Sequence, residues 1–432
     1  MTPPAVDGTA DDRREQALLT LVRWRLLPFM FLLYIVSYVD RVNVGFASLQ
    51  MNRDLGLSAS VYGLGAGIFF LGYFAFEVPS NLLLERFGAR PWIARIMVSW
   101  GIVSAAMMFT TGVRSFFALR MLLGVAEAGF FPGMILYLTY WFPERERAKT
   151  VALFMTANAL AGVIGGPLSG LLLTLDGSHG LSGWQWLFLL EGIPAVVLGG
   201  VVLVYLPNGP RDARWLRPED REWLAARREA ERAGSPHVGV WATLTNGPVW
   251  IFSLLYFSLV VALYSVSFWL PQILKRLSGA TDLTVGLLSS LPYIVAAIGM
   301  VLIGRHSDAT GERRWHVAGP ALAGAVGLLL SAVAPSPVLA ISAVALAALG
   351  IWGALGPFWA LPTAWLRGSG AAAGIAWINS VGNLGGFVGP YGVGYLRDAT
   401  GNFGIALGGL AAMLVIAAVL ALRAPQAAPA RS

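Results

Sequence analysis

Stretches of about 20 mostly apolar residues recur along the whole chain, and short polar segments separate them. A helix needs about 20 such residues to cross the hydrocarbon core of a bilayer, where every backbone polar group must be bonded internally. Only 12% of the 432 residues are charged, whereas soluble domains carry about 25%. The pattern therefore predicts an all-α membrane protein.

Twelve stretches meet this length requirement, in two sets of six. They are 26–47, 59–83, 91–111, 115–139, 149–173 and 184–206, then 248–271, 284–304, 316–333, 336–361, 371–395 and 403–422. We expect two six-helix bundles, 26–206 and 248–422. A connecting loop at 207–247 and tails at 1–25 and 423–432 complete the predicted organisation.

The positions of Lys and Arg predict the orientation. If the N-terminus is cytoplasmic, 23 of the 30 basic residues fall in cytoplasmic segments and five fall outside. Cytoplasmic segments of membrane proteins are enriched in Lys and Arg. We therefore expect both termini and the 207–247 loop in the cytoplasm, and the protein in the cell or inner membrane.

Several function classes lack support in the sequence. Cysteine is absent, which removes thiolate metal sites and thiol catalysis. There is no GxxxxGK[ST] phosphate loop, so ATP hydrolysis is not expected. The basic residues lie between apolar runs and not on one soluble face, so nucleic-acid binding is not expected either. We predict no cofactor, no bound metal and no enzyme activity.

A single offset of 223 residues relates the two halves. It places Glu85 on Asp308, and it also superposes Gly88 on Gly311, Arg90 on Arg313, Gly162 on Gly385, Gly166 on Gly389 and Pro167 on Pro390. Such a repeat indicates duplicated bundles, and repeat-built transporters bind substrate between the repeats near the midplane.

Glycines recur four residues apart in the fifth and eleventh spans, as Gly162, Gly166, Gly170 and as Gly385, Gly389. Small residues at this spacing let helix backbones approach closely. Two interpretations stay open: ordinary helix packing, or smooth faces on which the halves move.

Four charged residues lie inside the first and fourth predicted spans: Asp40 and Arg41 in the first, and Arg120 and Glu127 in the fourth. Intramembrane charges are costly and mark pathways for ions or protons more often than they stabilise. We expect one of Asp40 and Arg41 to face the fourth span and the other to face the central cavity. The alternative is an ion-pair network that only joins the first and fourth spans.

Each charge type suggests a different role. Two acids suit proton coupling, and a permanent cation suits an anionic substrate, because arginine can bind a carboxylate through two parallel hydrogen bonds. Glu77 and Glu191 are also in spans. We predict structural roles for both, with Glu77 paired to basic loop residues, and a part in proton coupling is the alternative for each.

Four phrases carry a family resemblance: YVDRVNVGFA (38–47), GYFAFEVPSNLLLERFGARPWIARI (72–96), RMLLGVAEAGFFPGMILYLTYWFP (120–143) and WLFLLEGIPA (186–195). With them the chain resembles the anion:cation symporter family of the major facilitator superfamily, which includes phthalate, tartrate and hexonate permeases. The first-half loop with Glu85, Arg86, Gly88 and Arg90 departs from the superfamily's G-x-x-x-D-R-x-G-R-R, because Glu85 replaces the aspartate, as this family tends to have it. The second-half copy keeps the aspartate as Asp308 and also contains Arg313.

The resemblance implies site residues. Asp40 and Glu127 match the family's proton sites, Arg120 the arginine that tunes them, and Arg41 the arginine that contacts the substrate carboxylate. The matching pocket positions are Tyr73, Asn158 and Asn379. Trp359 and Tyr264 are candidate pocket walls, with packing or lipid-facing aromatics as the alternative.

The expected function is proton-driven uptake of a small organic carboxylate, such as a sugar acid, tartrate or an aromatic acid, by a monomer in the lipid bilayer. The alternatives are efflux or exchange of an organic anion by proton antiport, and a membrane sensor that has lost transport.

Overall fold

The computed structural model describes residues 8–233, 246–366 and 369–425, so parts of the predicted tails and connecting loop lie outside the described residues. Within those ranges the chain forms seventeen α-helices and no strand. They are α1 (Gly8–Asp54), α2 (Ala59–Phe87), α3 (Ala89–Ala106), α4 (Val113–Glu127), α5 (Phe130–Thr139), α6 (Glu144–Met155), α7 (Ala157–Leu173), α8 (Gly183–Tyr205), α9 (Pro218–Ala233), α10 (Gly247–Ser278), α11 (Asp282–Thr310), α12 (Arg314–Val333), α13 (Pro337–Gly353), α14 (Leu355–Trp365), α15 (Ser369–Asn383), α16 (Gly385–Thr400) and α17 (Phe403–Arg423).

Eleven stretches of the described residues are long and apolar enough to cross a membrane. The remaining predicted span, 371–395, is formed by two shorter helices, α15 and α16, which meet at Leu384. The predicted all-α fold of twelve spans in two halves is confirmed. Helix α1 begins well before the predicted start at residue 26, and Arg14 of this extension pairs with Glu219 and Asp220 of α9.

The same spans are broken in both halves. The fourth and fifth spans divide into α4/α5 and α6/α7, and the tenth and eleventh into α13/α14 and α15/α16. The first of these breaks follows Glu127, where Gly129 adopts a φ of 84° that a side chain would strain. Interrupted helices of this kind line the substrate sites of transporters.

Helices α1 and α10 cross at equivalent positions of the repeat. The 223-residue offset places Arg41 on Tyr264 and Gly45 on Phe268. Both equivalent pairs are in contact: Arg41 Nη1 donates to Tyr264 Oη at 3.0 Å, and a Cβ on Gly45 would lie 3.0 Å from the Phe268 carbonyl oxygen. The pseudo-two-fold axis of the fold therefore passes between Arg41 and Tyr264.

The halves are packed tightly at the face where α1 ends and α2 begins. The distribution of basic residues predicts that this face lies outside the cell, and it is called the predicted outer face below. There α2 touches α16 and α7 touches α11, each through glycines. A Cβ on Gly166 would lie 2.6 Å from the Gly286 carbonyl oxygen. Asp398 accepts from the backbone N–H groups of Ala59 at 3.1 Å and Ser60 at 2.7 Å. This face is closed.

The two predicted glycine rows have different neighbours. Gly162, Gly166 and Gly170 all face α11 of the other half, against Tyr293 and Gly286. Gly385 and Gly389 instead lie against α10 of their own half, where Val261 is a shared neighbour. Their assignment to a face between the halves is therefore corrected. Gly386, one residue further along α16, faces Phe70 of the other half.

The two copies of the loop motif are stabilised differently. Arg313 Nη1 lies 2.6 Å from Asp308 Oδ1 in the second copy. In the first copy, Gly88 has a φ of 92° and the Arg90 N–H donates to Asn208 Oδ1 at 3.1 Å. Glu85 and Arg86 are exposed. The aspartate-to-glutamate difference between the copies thus accompanies a different set of contacts.

We predict that Gly166→Leu prevents closure of the predicted outer face, because the leucine would enter the α7–α11 contact. The natural absence of cysteine allows Ser60→Cys and Asp398→Cys to report closure at the remote α2–α16 contact. Cross-linking of this pair should fall sharply in Gly166→Leu. It should stay unchanged in the control Gly200→Leu, whose Cβ would meet nothing within 4 Å. Equal cross-linking in both variants would contradict the role of this contact.

Candidate functional site

Six charged residues in the described part of the protein have less than one-tenth of their surface exposed, and all six are in the N-terminal half. They are the acids Asp40, Glu77, Glu127 and Glu191 and the bases Arg41 and Arg120. The C-terminal half contributes uncharged polar groups to the buried set of described residues. Buried charges are stable only when they are paired, hydrogen-bonded or neutralised, so the surroundings of each residue indicate what it can do.

Arg41 lies at the boundary between the halves and uses both. Its Nε donates to Glu127 Oε1 at 3.2 Å and its Nη2 contacts the same oxygen, while Nη1 binds Tyr264 of α10. The guanidinium carbon lies 5.6 Å from the Phe69 ring centroid and 5.3 Å from that of Tyr73, within cation–π range. This permanent cation therefore contacts both halves at once.

Glu127 is bound by Arg41 at the C-terminal end of α4. It is the last residue of α4, and the negative end of a helix dipole disfavours a carboxylate. Ser37 Oγ donates to Glu127 Oε1 at 2.8 Å, so the hydroxyl and the guanidinium converge on one oxygen. If Arg41 moved away from Glu127, Ser37 would be the hydrogen-bond donor left to the carboxylate among these contacts.

Asp40 points away from this boundary, into the N-terminal half. Trp100 Nε1 donates to Asp40 Oδ2 at 2.8 Å, and Ser104 Oγ donates to Oδ1 at 2.8 Å. The expectation that Asp40 or Arg41 faces α4 and the other faces the centre is therefore corrected. Arg41 does both, and Asp40, about 100° away on the helix, faces α3.

Arg120 is bound by backbone carbonyls and not by an acid. Its Nε and Nη2 donate to the carbonyl oxygens of Gly65 at 3.3 Å and Ala66 at 2.9 Å. Its Nη1 is buried without a hydrogen-bond partner. Two-turn spacing predicts that Arg120 and Glu127 share a side of the helix, but α2 binds the guanidinium of Arg120, so its influence on Glu127 is only through space.

Glu77 joins the halves on the side of the site away from the predicted outer face. Asn379 Nδ2 donates to Glu77 Oε1 at 2.7 Å, and Ser380 Oγ donates to Oε2 at 3.1 Å. Both donors are on α15 of the other half. The predicted pairing of Glu77 with basic loop residues is thus corrected, and Asn379, a predicted pocket residue, is bound to Glu77.

The remaining predicted pocket residues differ in whether they reach this boundary. Asn158 Oδ1 accepts from Trp352 Nε1 of the other half at 3.1 Å. Trp359 packs edge-on against Tyr256 of its own half at 4.9 Å between ring centroids, and its buried indole N–H has no partner. The structure thus brings Arg41, Glu127, Tyr73 and Tyr264 into direct contact and places Asn158 and Asn379 at separate contacts along the boundary, whereas the ring contact of Trp359 lies within the C-terminal half.

Sequence reasoning missed several small polar partners. Ser37 is four residues before Arg41 and therefore on the same face of α1, a spacing that could have identified it. Trp100 and Ser104 are one helical turn apart on α3, and Ser380 follows Asn379 on α15, but no spacing in the sequence relates these residues to Asp40 or Glu77 on other spans.

Comparison with known proteins decides the family. A family model described as Major Facilitator Superfamily matches residues 30–390. The chain belongs to the Major Facilitator Superfamily. A predicted tartrate transporter of Agrobacterium vitis is 49% identical over 425 residues, which cover 98% of this chain and 94% of that protein. A quinolone resistance transporter of Acinetobacter baumannii is 43% identical over 409 residues, or 94% of each protein.

The fold of this superfamily member is also found in solved structures. The crystal structure of a D-xylose–proton symporter is 17% identical, has a TM-score of 0.75, and matches 94% of this chain and 98% of that chain. At this identity the likeness supports the fold alone. Together with its apolar helices, the family identifies the protein as a multi-pass membrane transporter.

We predict that Arg41→Met destabilises the protein by about 3–5 kcal/mol, because it leaves the Glu127 carboxylate buried without its cation. Glu127→Gln added to Arg41→Met should restore most of the loss. Thermal unfolding of the two single variants and the double variant in detergent measures this coupling. Arg114→Met, at an exposed position, is the control. Additive effects of the two substitutions would contradict the pairing.

Proposed function

We propose that this transporter is a proton-coupled symporter that takes up a small organic carboxylate by alternating access. The observation that carries the proposal is Arg41, a permanent cation at the pseudo-two-fold axis, bound by an acid of its own half and a tyrosine of the other. A ligand at this position contacts both halves and can therefore control how they separate.

A substrate carboxylate would replace Glu127 on Arg41. The planar guanidinium binds a carboxylate through two parallel hydrogen bonds, and the aromatic rings of Phe69 and Tyr73 beside it limit access of water. Glu127 then loses its cation at the negative end of α4 and is favoured in its neutral, protonated form. Substrate and proton would bind cooperatively, and by linkage each strengthens the other equally.

Two sets of contacts supply the gates. Asp398, which caps the start of α2, and the glycine contact of Gly166 with Gly286 hold the predicted outer face closed. Glu77 with Asn379 and Ser380 closes the opposite side. We infer that these sets break in alternation. We also infer that the protein is a monomer in the inner membrane of the cell. Both of its termini would then lie in the cytoplasm.

The proposed substrate class rests on the positive charge of Arg41 and on sequence similarity to named transporters. A cation within a closed, partly aromatic site suits a compact organic anion, and a relative of high identity is named for tartrate transport. Sugar acids, tartrate and aromatic acids are the candidates. Thermal stabilisation of the purified protein by a panel of tartrate, hexonates, hexuronates and aromatic acids would identify the ligand used in the assays below.

One observation favours efflux by proton antiport as a second candidate. A relative that matches 94% of this chain is named for quinolone resistance. In an antiporter, proton and substrate compete for the site, so substrate affinity should rise with pH. In a symporter it should fall, because Glu127 must take up a proton when the substrate binds.

We predict that Asp40→Asn and Glu127→Gln each reduce proton-gradient-driven accumulation by about tenfold or more, because a neutral amide cannot release a proton and coupling free energies are of that size. At least one variant should keep exchange with substrate on both sides. Uptake into proteoliposomes, with and without an inward proton gradient, measures both properties.

The control is Glu222→Gln, at a position on α9 whose side chain is 70% exposed. It should match the unmodified protein in both assays. Undiminished accumulation in both Asp40→Asn and Glu127→Gln would show that these acids do not couple transport to protons.

A further inference from the structure

A second buried acid lies close to Asp40, inside the N-terminal half. Glu191 of α8 is 4% exposed and accepts a hydrogen bond from Ser169 Oγ to Oε1 at 2.8 Å, and the Asn43 side chain lies within reach of the same carboxyl group. Its other oxygen, Oε2, is buried without a partner. An orphaned buried carboxylate oxygen costs free energy, so the contacts described above leave Glu191 incomplete.

Asn43 lies between the two acids. It is one turn after Asp40 on α1, its Nδ2 donates weakly to Asp40 Oδ1 at 3.4 Å, and its side chain lies beside that of Glu191. Asn43 is fully buried, and its Oδ1 is also without a partner. The pocket therefore contains two unpartnered oxygens, one from an amide and one from a carboxyl group.

Backbone contacts place this pocket beside the donors of Asp40. A Cβ on Gly192 would lie 2.7 Å from the Ala105 nitrogen and 2.8 Å from the Gly101 oxygen. Helices α3 and α8 thus touch next to Trp100 and Ser104, which bind Asp40. Asp40 and Glu191 share one enclosure formed by α1, α3, α7 and α8.

The buried charges of the described residues do not balance without protons. They comprise four carboxyl groups and two guanidiniums, so full ionisation would leave an excess of two negative charges in the membrane core. Glu127 has Arg41, and Asp40 and Glu77 each accept from two close donors. Glu191 has one close donor, Ser169, and one oxygen without a hydrogen-bond partner, so these contacts stabilise its anion least.

No basic group faces Glu191 among the described residues. The titratable group that faces it from α1 is Asp40. The neighbours from α3 and α7 named here, Trp100, Ser104 and Ser169, do not titrate near neutral pH. The Asn43 side chain lies beside Glu191, and both side chains contain an oxygen without a hydrogen-bond partner, so a proton on Glu191 would have an acceptor group next to it.

We propose that Glu191 is a further proton-binding residue, in addition to Asp40 and Glu127, which exchanges its proton with Asp40 beside Asn43 and so carries the coupling proton through the N-terminal half. The inference rests on the proposed coupling role of Asp40. In the step, the O–H bond of protonated Asp40 breaks and an O–H bond forms on the Glu191 carboxylate. The charge of the pair stays at minus one throughout.

This arrangement separates the paths of proton and substrate. Arg41 and Glu127 face the boundary between the halves, where a substrate would bind, whereas Asp40 is turned toward α3 and Glu191 lies behind it. A proton on Asp40 therefore has its next acceptor inside the half and not in the substrate site.

Glu191→Gln tests the proposal, since glutamine keeps the shape and can donate to Asn43 but cannot exchange a proton. We expect proton-gradient-driven accumulation in proteoliposomes to fall by about tenfold, with substrate exchange and thermal stability kept. Glu191→Asp, which retains an acid, should recover part of the accumulation. Full accumulation in Glu191→Gln would overturn the relay.

Infrared spectroscopy of the purified protein tests the proton directly and needs no substrate. The unmodified protein near neutral pH should show a band of un-ionised carboxylic acid that Glu191→Gln reduces, and absence of this reduction would overturn the proposal. If the unmodified protein shows the band but no gradient-driven uptake, the proposed transport function fails while the proton site stands. A sodium site is the alternative. If sodium chloride raised the unfolding temperature more than choline chloride did, and Glu191→Gln lost this difference, the proposal would be overturned.

Discussion

The contact of Arg41 with Glu127 and Tyr264 is the interaction on which the rest of the structure depends. The 223-residue repeat makes Arg41 and Tyr264 equivalent positions of the two halves, and the two residues are in contact. The N-terminal half contributes a charged group at this position and the C-terminal half a hydroxyl group. Glu127 is the acid that pairs with this buried cation, and in the proposed mechanism it stays there until the substrate carboxylate replaces it. The proposed exchange links substrate binding, proton binding and the relative position of the halves.

The contacts on the two sides of this centre differ in the groups that form them. Toward the predicted outer face, helix backbones touch through glycines and Asp398 caps α2. On the opposite side, Glu77 bonds to Asn379 and Ser380, which are side-chain bonds that water or a substrate can replace one at a time. Backbone contacts of the first kind form or break together, which suits a gate that is either open or closed.

The fold was predictable because its determinants are local in sequence. Span length, the Lys and Arg distribution and the 223-residue repeat predict twelve helices in two bundles. The identities of Asp40, Arg41 and Glu127 as buried residues follow from their positions in apolar runs. Their partners were not predictable, because the direction of a side chain on one helix does not reveal which helix it meets. Asp40 binds Trp100, and Glu77 binds Asn379 some 300 residues away. Gly385 and Gly389 were misassigned for the same reason.

The central claim is that substrate displaces Glu127 from Arg41 and thereby loads a proton. Isothermal titration of the stabilising carboxylate into purified protein, in buffers of different ionisation enthalpy near neutral pH, measures the protons exchanged on binding. The account predicts uptake of about one proton per bound substrate, and loss of this uptake in Glu127→Gln. Binding without proton uptake, or with proton release, would contradict it.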